Sequence, residues 1–318
     1  MGRDERGTPE GAPGLRVLFW GTYDLSKPRN RILRDGLRQC GVHLDECHAS
    51  VWEGVRDKGV LSGWHQTRML LKTLLAYPGL LVRFLRAPRP DVVLVGYLGL
   101  LDVLLLWPFA RVRGVPVVWD QFLSLYNTVV EDRRTLSSRH LLARALYTAE
   151  WVACRAVDRV VMDTRAHAEY VRRRFHLDPE KVASVWVGVE APSFPPSSTE
   201  RRDEGPPVVL FYGQLIPLHG IETIIGAARL LRDEPIRFTI IGSGQEESRV
   251  RGLLEEDPLE RLEWIPWVAY EELVRWIHQA DVCLGIFGAT EKAARVIPNK
   301  VFQVLAARRP LVTRDSPA

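Results

Sequence analysis

The 318-residue sequence has little cysteine: Cys40, Cys47, Cys154 and Cys283 are all of it. They are widely spaced, without a Cys-x-x-Cys pair or a histidine cluster at metal-ligand spacing. That excludes a disulfide scaffold and a zinc ribbon, and leaves a reduced, cytosolic chain with buried thiols and no metal site. Neither sign of charge dominates, with 43 Lys and Arg against 39 Asp and Glu and a pI near 8.9. This balance admits an anionic ligand or surface without requiring one. The basic residues are interleaved with apolar runs and not with aromatic platforms, which argues against a nucleic-acid partner. Residues 1–14 lack the apolar core of a signal peptide and read as a disordered tail. Arg6 also stands where a myristoylation motif needs a hydroxyl. A long apolar run is missing too. The longest, residues 92–109, reaches only about the lower limit for a spanning helix. Gly96, Gly99 and Asp102 interrupt it, so it reads as strand, turn and helix.

What is present is a regular alternation of strand-like and helix-like segments, the mark of α/β architecture with parallel sheets. Strands are expected over residues 15–20, 91–95, 115–119, 159–162 and 182–187. The helices between them cover residues 29–40, 100–113, 138–157 and 164–175. Residues 191–207, rich in proline, serine and charge, read as a linker between domain 15–190 and domain 208–318. Beyond it the pattern restarts, with strands at 208–212, 237–241, 262–265, 282–286 and 311–313. Helices are expected at 221–231, 246–254, 270–279 and 299–306. Parallel sheets bind ligands beyond the carboxyl ends of their strands, and two such domains facing one another would form a cleft.

Three segments of the second half carry chemistry. In Phe211-Tyr-Gly-Gln-Leu-Ile-Pro-Leu-His-Gly220, Gly213 ends a strand and Gly220 precedes a helix, and both permit close approach of the backbone to a ligand. In Ile240-Ile-Gly-Ser-Gly-Gln-Glu-Glu247, Gly242 and Gly244 follow a strand, but Glu247 occupies the place of the third glycine of a dinucleotide fingerprint. An NAD-dependent oxidoreductase is the reading this absence counts against. Finally, Pro298 suits the first turn of a helix that begins near Asn299. The free N–H groups and dipole there favour an anion, and Arg295 and Lys300 add positive charge, so a diphosphate is the natural guest.

Taken together, in this order and spacing, these segments resemble the C-terminal domain of glycosyltransferase family 4, whose fold is named GT-B. The stretches that match are Phe211–Gly220, Ile241–Gly244, Ala280–Leu284 and Arg295–Val312. Gly21, Asp158–Thr164 and Val187–Glu190 fit the N-terminal domain less specifically. The resemblance implies two Rossmann-like parallel-sheet domains facing a cleft. It also implies a metal-independent, retaining transfer of sugar from a nucleoside-diphosphate-sugar, a co-substrate and not a cofactor, to a glycan or lipid-linked acceptor. The sequence departs from the family in four places. Gln214 and His219 replace the Arg and Lys that usually hold the diphosphate, and Arg295 and Gln303 replace the glutamate pair. We read this as a relocation of charge to Arg295 and Lys300, with Gln303 still able to bond a ribose hydroxyl. The competing reading is a pseudo-enzyme that binds sugar nucleotides without turning them over. Asp120, directly after strand 115–119, falls where the family often carries a histidine facing the transferred sugar. From there it could orient the acceptor hydroxyl or stabilise the transition state, or else act as a turn or helix-capping aspartate. Gly21 falls on the acceptor side. In the family the last strand leads on to further strand–helix units, so the resemblance also implies a second domain truncated at its C-terminus.

One more segment stands out. Residues 64–90 contain five Arg or Lys and no acid, interleaved with leucines, as suits docking on an anionic membrane from the cytoplasmic side. The alternative is a pair of core-packed helices broken at Pro78, with solvated arginines.

Overall fold

A computed structural model of the chain describes residues 14–51, 63–196 and 205–318; residues 1–13 of the expected tail and residues 197–204 of the expected linker lie outside them. The elements of the first half are β1 (Arg16–Gly21), α1 (Pro28–Gln39), β2 (His43–His48), α2 (Gly63–Arg86), β3 (Val92–Val95) and α3 (Leu100–Arg113). They continue with β4 (Val117–Phe122), α4 (Leu141–Ala156), β5 (Arg159–Met162), α5 (Arg165–Phe175) and β6 (Val182–Ser184). The second half contains β7 (Val208–Tyr212), α6 (Ile221–Leu230), β8 (Arg237–Ile241), α7 (Glu247–Glu256) and β9 (Leu262–Ile265). It ends with α8 (Tyr270–Gln279), β10 (Val282–Leu284), α9 (Asn299–Ala306) and β11 (Leu311–Val312).

Two compact units result. The first comprises the described residues up to Tyr126 together with Ser138–Trp186; the second takes Asn127–Ser137 and everything from Val187 onward. In the first, six parallel strands lie in the order β2-β1-β3-β4-β5-β6. Val17 to Trp20 of β1 are all buried, as expected for an interior parallel strand covered on both faces. Helices α2, α3, α4 and α5 pack one face through Leu80, Phe84, Leu106, Ala153 and Phe175. On the other face, α1 packs Leu33 and Leu37 against Phe19 and Leu94. Local signals fix the helix ends. Pro28 occupies the first turn of α1, Gly114 closes α3 in the left-handed region, and the Thr164 hydroxyl caps α5 by accepting the His167 N–H.

In the second unit five parallel strands run β11-β10-β7-β8-β9. Here the structure corrects two sequence expectations. The linker does not begin at 191: Ala191–Ser193 form a 3-10 turn and Phe194 is buried in the second core beside Leu210 and Ile277. In addition, Asn127–Asp132, from the first half of the sequence, form a π-helix that belongs to this unit. Buried Lys292 holds it there, donating to the Thr128 hydroxyl at 2.9 Å and pairing with Asp132 at 3.5 Å. Among the described residues no helix is long and apolar enough to cross a membrane.

Candidate functional site

The site of the second unit forms where β7, β8 and β10 end. Gly213, φ +141°, directly follows β7, and a Cβ there would lie 3.1 Å from both the His219 ring and the Lys300 ammonium. Lys300, on the first turn of α9, is buried; its Nζ lies 3.9 Å from the centroid of the Phe211 ring and 5.7 Å from that of Tyr212. Its single protein hydrogen bond among the described residues is a long one, 3.4 Å to the Gly285 carbonyl, and no carboxylate pairs with it there. Burial pushes its pKa well below the ordinary lysine value. An uncompensated buried ammonium is costly, and an anion beside it would restore its preference for the charged form. Helix α9 adds to this potential. Pro298 precedes Asn299 as the N-cap, one step earlier than expected, and no side chain caps the helix.

His219 is not a second cation. Its Nδ1 donates to the Gln214 carbonyl, which can only accept, so in the neutral ring Nε2 carries the lone pair. Burial, and after it the neighbouring Lys300, push its pKa well below the usual histidine value. The Gln214 backbone is thereby fixed while its side chain stays exposed. Gln303 is buried beside them, its Oε1 accepting the Tyr212 hydroxyl at 3.1 Å. Arg295 is met by Glu291 at 3.2 Å. The expected relocation onto two cations therefore reduces to one uncompensated cation, Lys300.

The glycines were legible as a motif, but three of the four have a different cause from the one expected. A Cβ on Gly242 would meet the Gly213 carbonyl at 1.8 Å, and one on Gly244 the Leu215 carbonyl at 2.7 Å. The two loops are laced together, Leu215 N–H donating to Ser243 and Glu246 N–H to Leu215. Gly220, φ +62°, presses on the backbone of Phe287–Gly288, where a Cβ would come within 2.5 Å. These residues are glycine because neighbouring backbone lies there, and only Gly213 faces the site's side chains. Gly242→Ala is therefore expected to cost more than about 1 kcal/mol of stability, read by urea unfolding. An unchanged unfolding midpoint would contradict this packing.

In the first unit Gly21 plays a similar part. At φ +131° it leaves room for the buried Asp102 carboxylate, whose Oδ2 would lie 2.8 Å from a Cβ. Asp102 accepts from the Thr22 N–H at 3.1 Å and from its hydroxyl at 3.2 Å, and burial raises its pKa to about 6. Asp120, expected directly after a strand, lies inside β4, two residues before the strand ends, where it is buried and bound to buried Arg29 of α1 at 2.7 and 2.9 Å. Arg29 also donates to the Val185 and Trp186 carbonyls, at 2.7 and 3.1 Å. The structure thus gives Asp120 a guanidinium to hold. Sequence reasoning missed Arg29, since one arginine in the arginine-rich stretch 28–39 carries no signal of burial.

Comparison with known proteins finds relatives for both halves of the chain. Residues 14–188 match the model of the glycosyl transferase 4-like domain, and residues 206–318 that of glycosyl transferases group 1. A D-inositol 3-phosphate glycosyltransferase of Streptomyces scabiei is 26% identical over 235 residues, 66% of this chain and 52% of the relative. Sucrose-phosphate synthase of Thermosynechococcus elongatus has the same fold, with a TM-score of 0.65 at 15% identity over 96% of this chain and 82% of the other. So does Anabaena HepE in complex with UDP-glucose, with a TM-score of 0.60 at 12% identity, covering 95% and 81% of the two chains. The chain spans between 24% and 58% of the length of the curated relatives it matches.

Proposed function

Because the chain belongs to the glycosyl transferase 4-like family, we propose that it transfers a sugar from a nucleoside-diphosphate-sugar to a glycan or lipid-linked acceptor. The observation that carries this reading is Lys300: a buried ammonium without a counter-ion among the described residues, beside an uncapped helix N-terminus, at the carboxyl ends of a parallel sheet. In the reaction the bond from the anomeric carbon to the diphosphate oxygen breaks, a bond to the acceptor oxygen forms, and the acceptor hydroxyl's proton passes to the departing diphosphate. Negative charge grows on the departing diphosphate. Lys300 and the first turn of α9 would stabilise that charge, a preorganised electrostatic role that needs no metal ion. Gln303, with its carbonyl oxygen fixed by Tyr212, would offer its amide to the ribose, and Gly213 would let the diphosphate approach. Neutral His219, with its lone pair on Nε2, would accept a hydrogen bond from a sugar hydroxyl. Transfer with retention of configuration is the stereochemistry that the family resemblance supports.

We place the protein in the cytoplasm, at the inner face of the membrane. Supporting this is α2, which covers most of residues 64–90 as one helix. It turns Tyr77, Leu80 and Phe84 inward and leaves Leu71, Leu75, Val82 and Leu85 exposed among its basic residues.

The donor reading is tested by thermal shift. UDP and UDP-glucose, the latter bound by HepE, head a panel of nucleoside diphosphates and their sugars. Specific binding raises the melting temperature, with a stabilisation that grows as the logarithm of ligand excess over Kd. A nucleoside diphosphate should give a clear shift, and the bare nucleoside at equal concentration much less. No shift with any member of the panel would overturn the reading. Turnover without binding preference for the diphosphate would move the site elsewhere.

A further inference from the structure

The helical layer over one face of the first sheet has an outer surface unlike that of a soluble domain. Helix α2 packs inward through Tyr77, Leu80 and Phe84, α3 through Val103 and Leu106, and α4 through Ala153 and Cys154, all into one core. All three then carry large apolar side chains outward as well. Leu75 is 70% exposed on α2, Val112 90% on α3 and Leu141 77% on α4, with Leu71, Phe109 and Leu142 among the others. Helix α3 is apolar nearly all round, a pattern of helices surrounded by apolar material on both sides.

The charge on this surface has one sign. The three helices contain eight Lys and Arg and two acids, Asp102 and Glu150. Both acids are buried, Asp102 under Thr22 and Glu150 under the Leu125 and Tyr126 N–H groups. No acid on α2, α3 or α4 reaches the surface. Exposed cations, such as Arg68, Lys72 and Arg86 on α2, Arg111 on α3 and Arg144 on α4, border the apolar side chains.

We propose that the outer faces of α2, α3 and α4 together form a single surface that seats the first unit on an anionic lipid bilayer, with α3 in its middle inserting apolar side chains. This rests on the membrane reading of α2 and extends it to two helices whose sequences lie outside residues 64–90. Exposed apolar area with interspersed cations and no surface acid complements anionic headgroups over acyl chains. A protein partner would have to bury those cations against acids of its own, whereas a bilayer needs no such matching.

The test uses the full chain with Cys40, the one exposed cysteine among the described residues, changed to serine. Single cysteines at positions 75, 112, 141 and 230 are labelled with an environment-sensitive fluorophore. Position 230, Leu230 on α6 of the second unit, is 88% exposed and serves as the off-face control. With phosphatidylglycerol vesicles, labels at 75, 112 and 141 should shift to the blue and that at 230 should not. Phosphatidylcholine vesicles should give little shift. Each of Arg68→Ala and Arg144→Ala should lower partitioning about fivefold at low salt, near 1 kcal/mol for a cation at such a surface. If the α2 label shifts and those on α3 and α4 do not, the extended surface fails while the α2 reading stands. If no label shifts, both fail. Lipid-independent self-association that shifts the same labels would assign the face to a second copy and overturn the proposal.

Discussion

Lys300→Met is expected to act in opposite directions on the free and the liganded protein. In the ligand-free protein it should raise the melting temperature, because it replaces a buried ammonium that has one long hydrogen bond by an apolar chain of similar length. Toward a nucleoside diphosphate it should weaken binding by about 1.5–3 kcal/mol, roughly 10- to 150-fold, the worth of a charge-assisted contact. Toward the bare nucleoside it should change little. The pH dependence follows from the direction of the pKa shift. Burial holds the folded lysine below its unfolded value, so between those two values the unfolded state binds more protons and stability rises with pH. His219, also shifted downward, contributes the same sign in a lower window, ending near its unfolded value of about 6.5. The difference between wild type and Lys300→Met isolates the lysine's share. Urea unfolding across pH and calorimetric titration with UDP and uridine check both halves. Lower stability together with unchanged diphosphate affinity would remove Lys300 from the site.

Why Lys300 could be found in the sequence and Arg29 could not is a matter of what patterns encode. Lys300 sits two residues after a proline that opens a helix, close to a strand end, and that local grammar places it at a helix N-terminus. Arg29 becomes important only because α1, β4 and the chain at Val185–Trp186 converge on it, over separations of 91 and 156 residues. The glycines fall between these cases. Their positive φ is read from position, but what crowds Gly242 is the Gly213 carbonyl on another loop. The same distinction holds for the fold. Buried parallel strands such as β1, β7 and β8 announce themselves as apolar runs. Strand β2, His43-Leu-Asp-Glu-Cys-His48, escaped notice because an edge strand paired with β1 alone keeps polar residues. Pro78 read as a helix break, yet α2 runs through it. A proline inside a helix costs about 3 kcal/mol, and burial of Tyr77, Leu80 and Phe84 on either side offsets that. Segment 127–132 carried no helix signal, since what holds it, Lys292, lies 164 residues beyond Thr128.

Asp120→Ala is expected to destabilise the first unit by about 3–5 kcal/mol, because it strands the buried Arg29 guanidinium without its carboxylate. Such a loss would approach the whole stability of an ordinary domain. Two further variants separate this from mere cavity formation. Asp120→Asn keeps the volume and one acceptor oxygen, so it should lose less than the alanine. Arg29→Met combined with Asp120→Leu removes both charges and should recover much of the loss, since an apolar pair can replace a buried ion pair with little or no penalty. The recovery should be incomplete, because the Val185 and Trp186 carbonyls lose their donor in the double variant. Urea unfolding of the wild type, Arg29→Met, Asp120→Leu and the double variant forms a double-mutant cycle whose coupling term measures the pair directly. A catalytic Asp120 predicts something else: transfer activity abolished in Asp120→Asn at nearly unchanged stability, with donor binding intact. If the cycle gives no coupling and activity alone is lost, the carboxylate works on substrate and its contact with Arg29 is incidental. If coupling is strong and the double variant regains both fold and turnover, Asp120 acts through Arg29, holding α1, β4 and the chain's exit from the first unit in register.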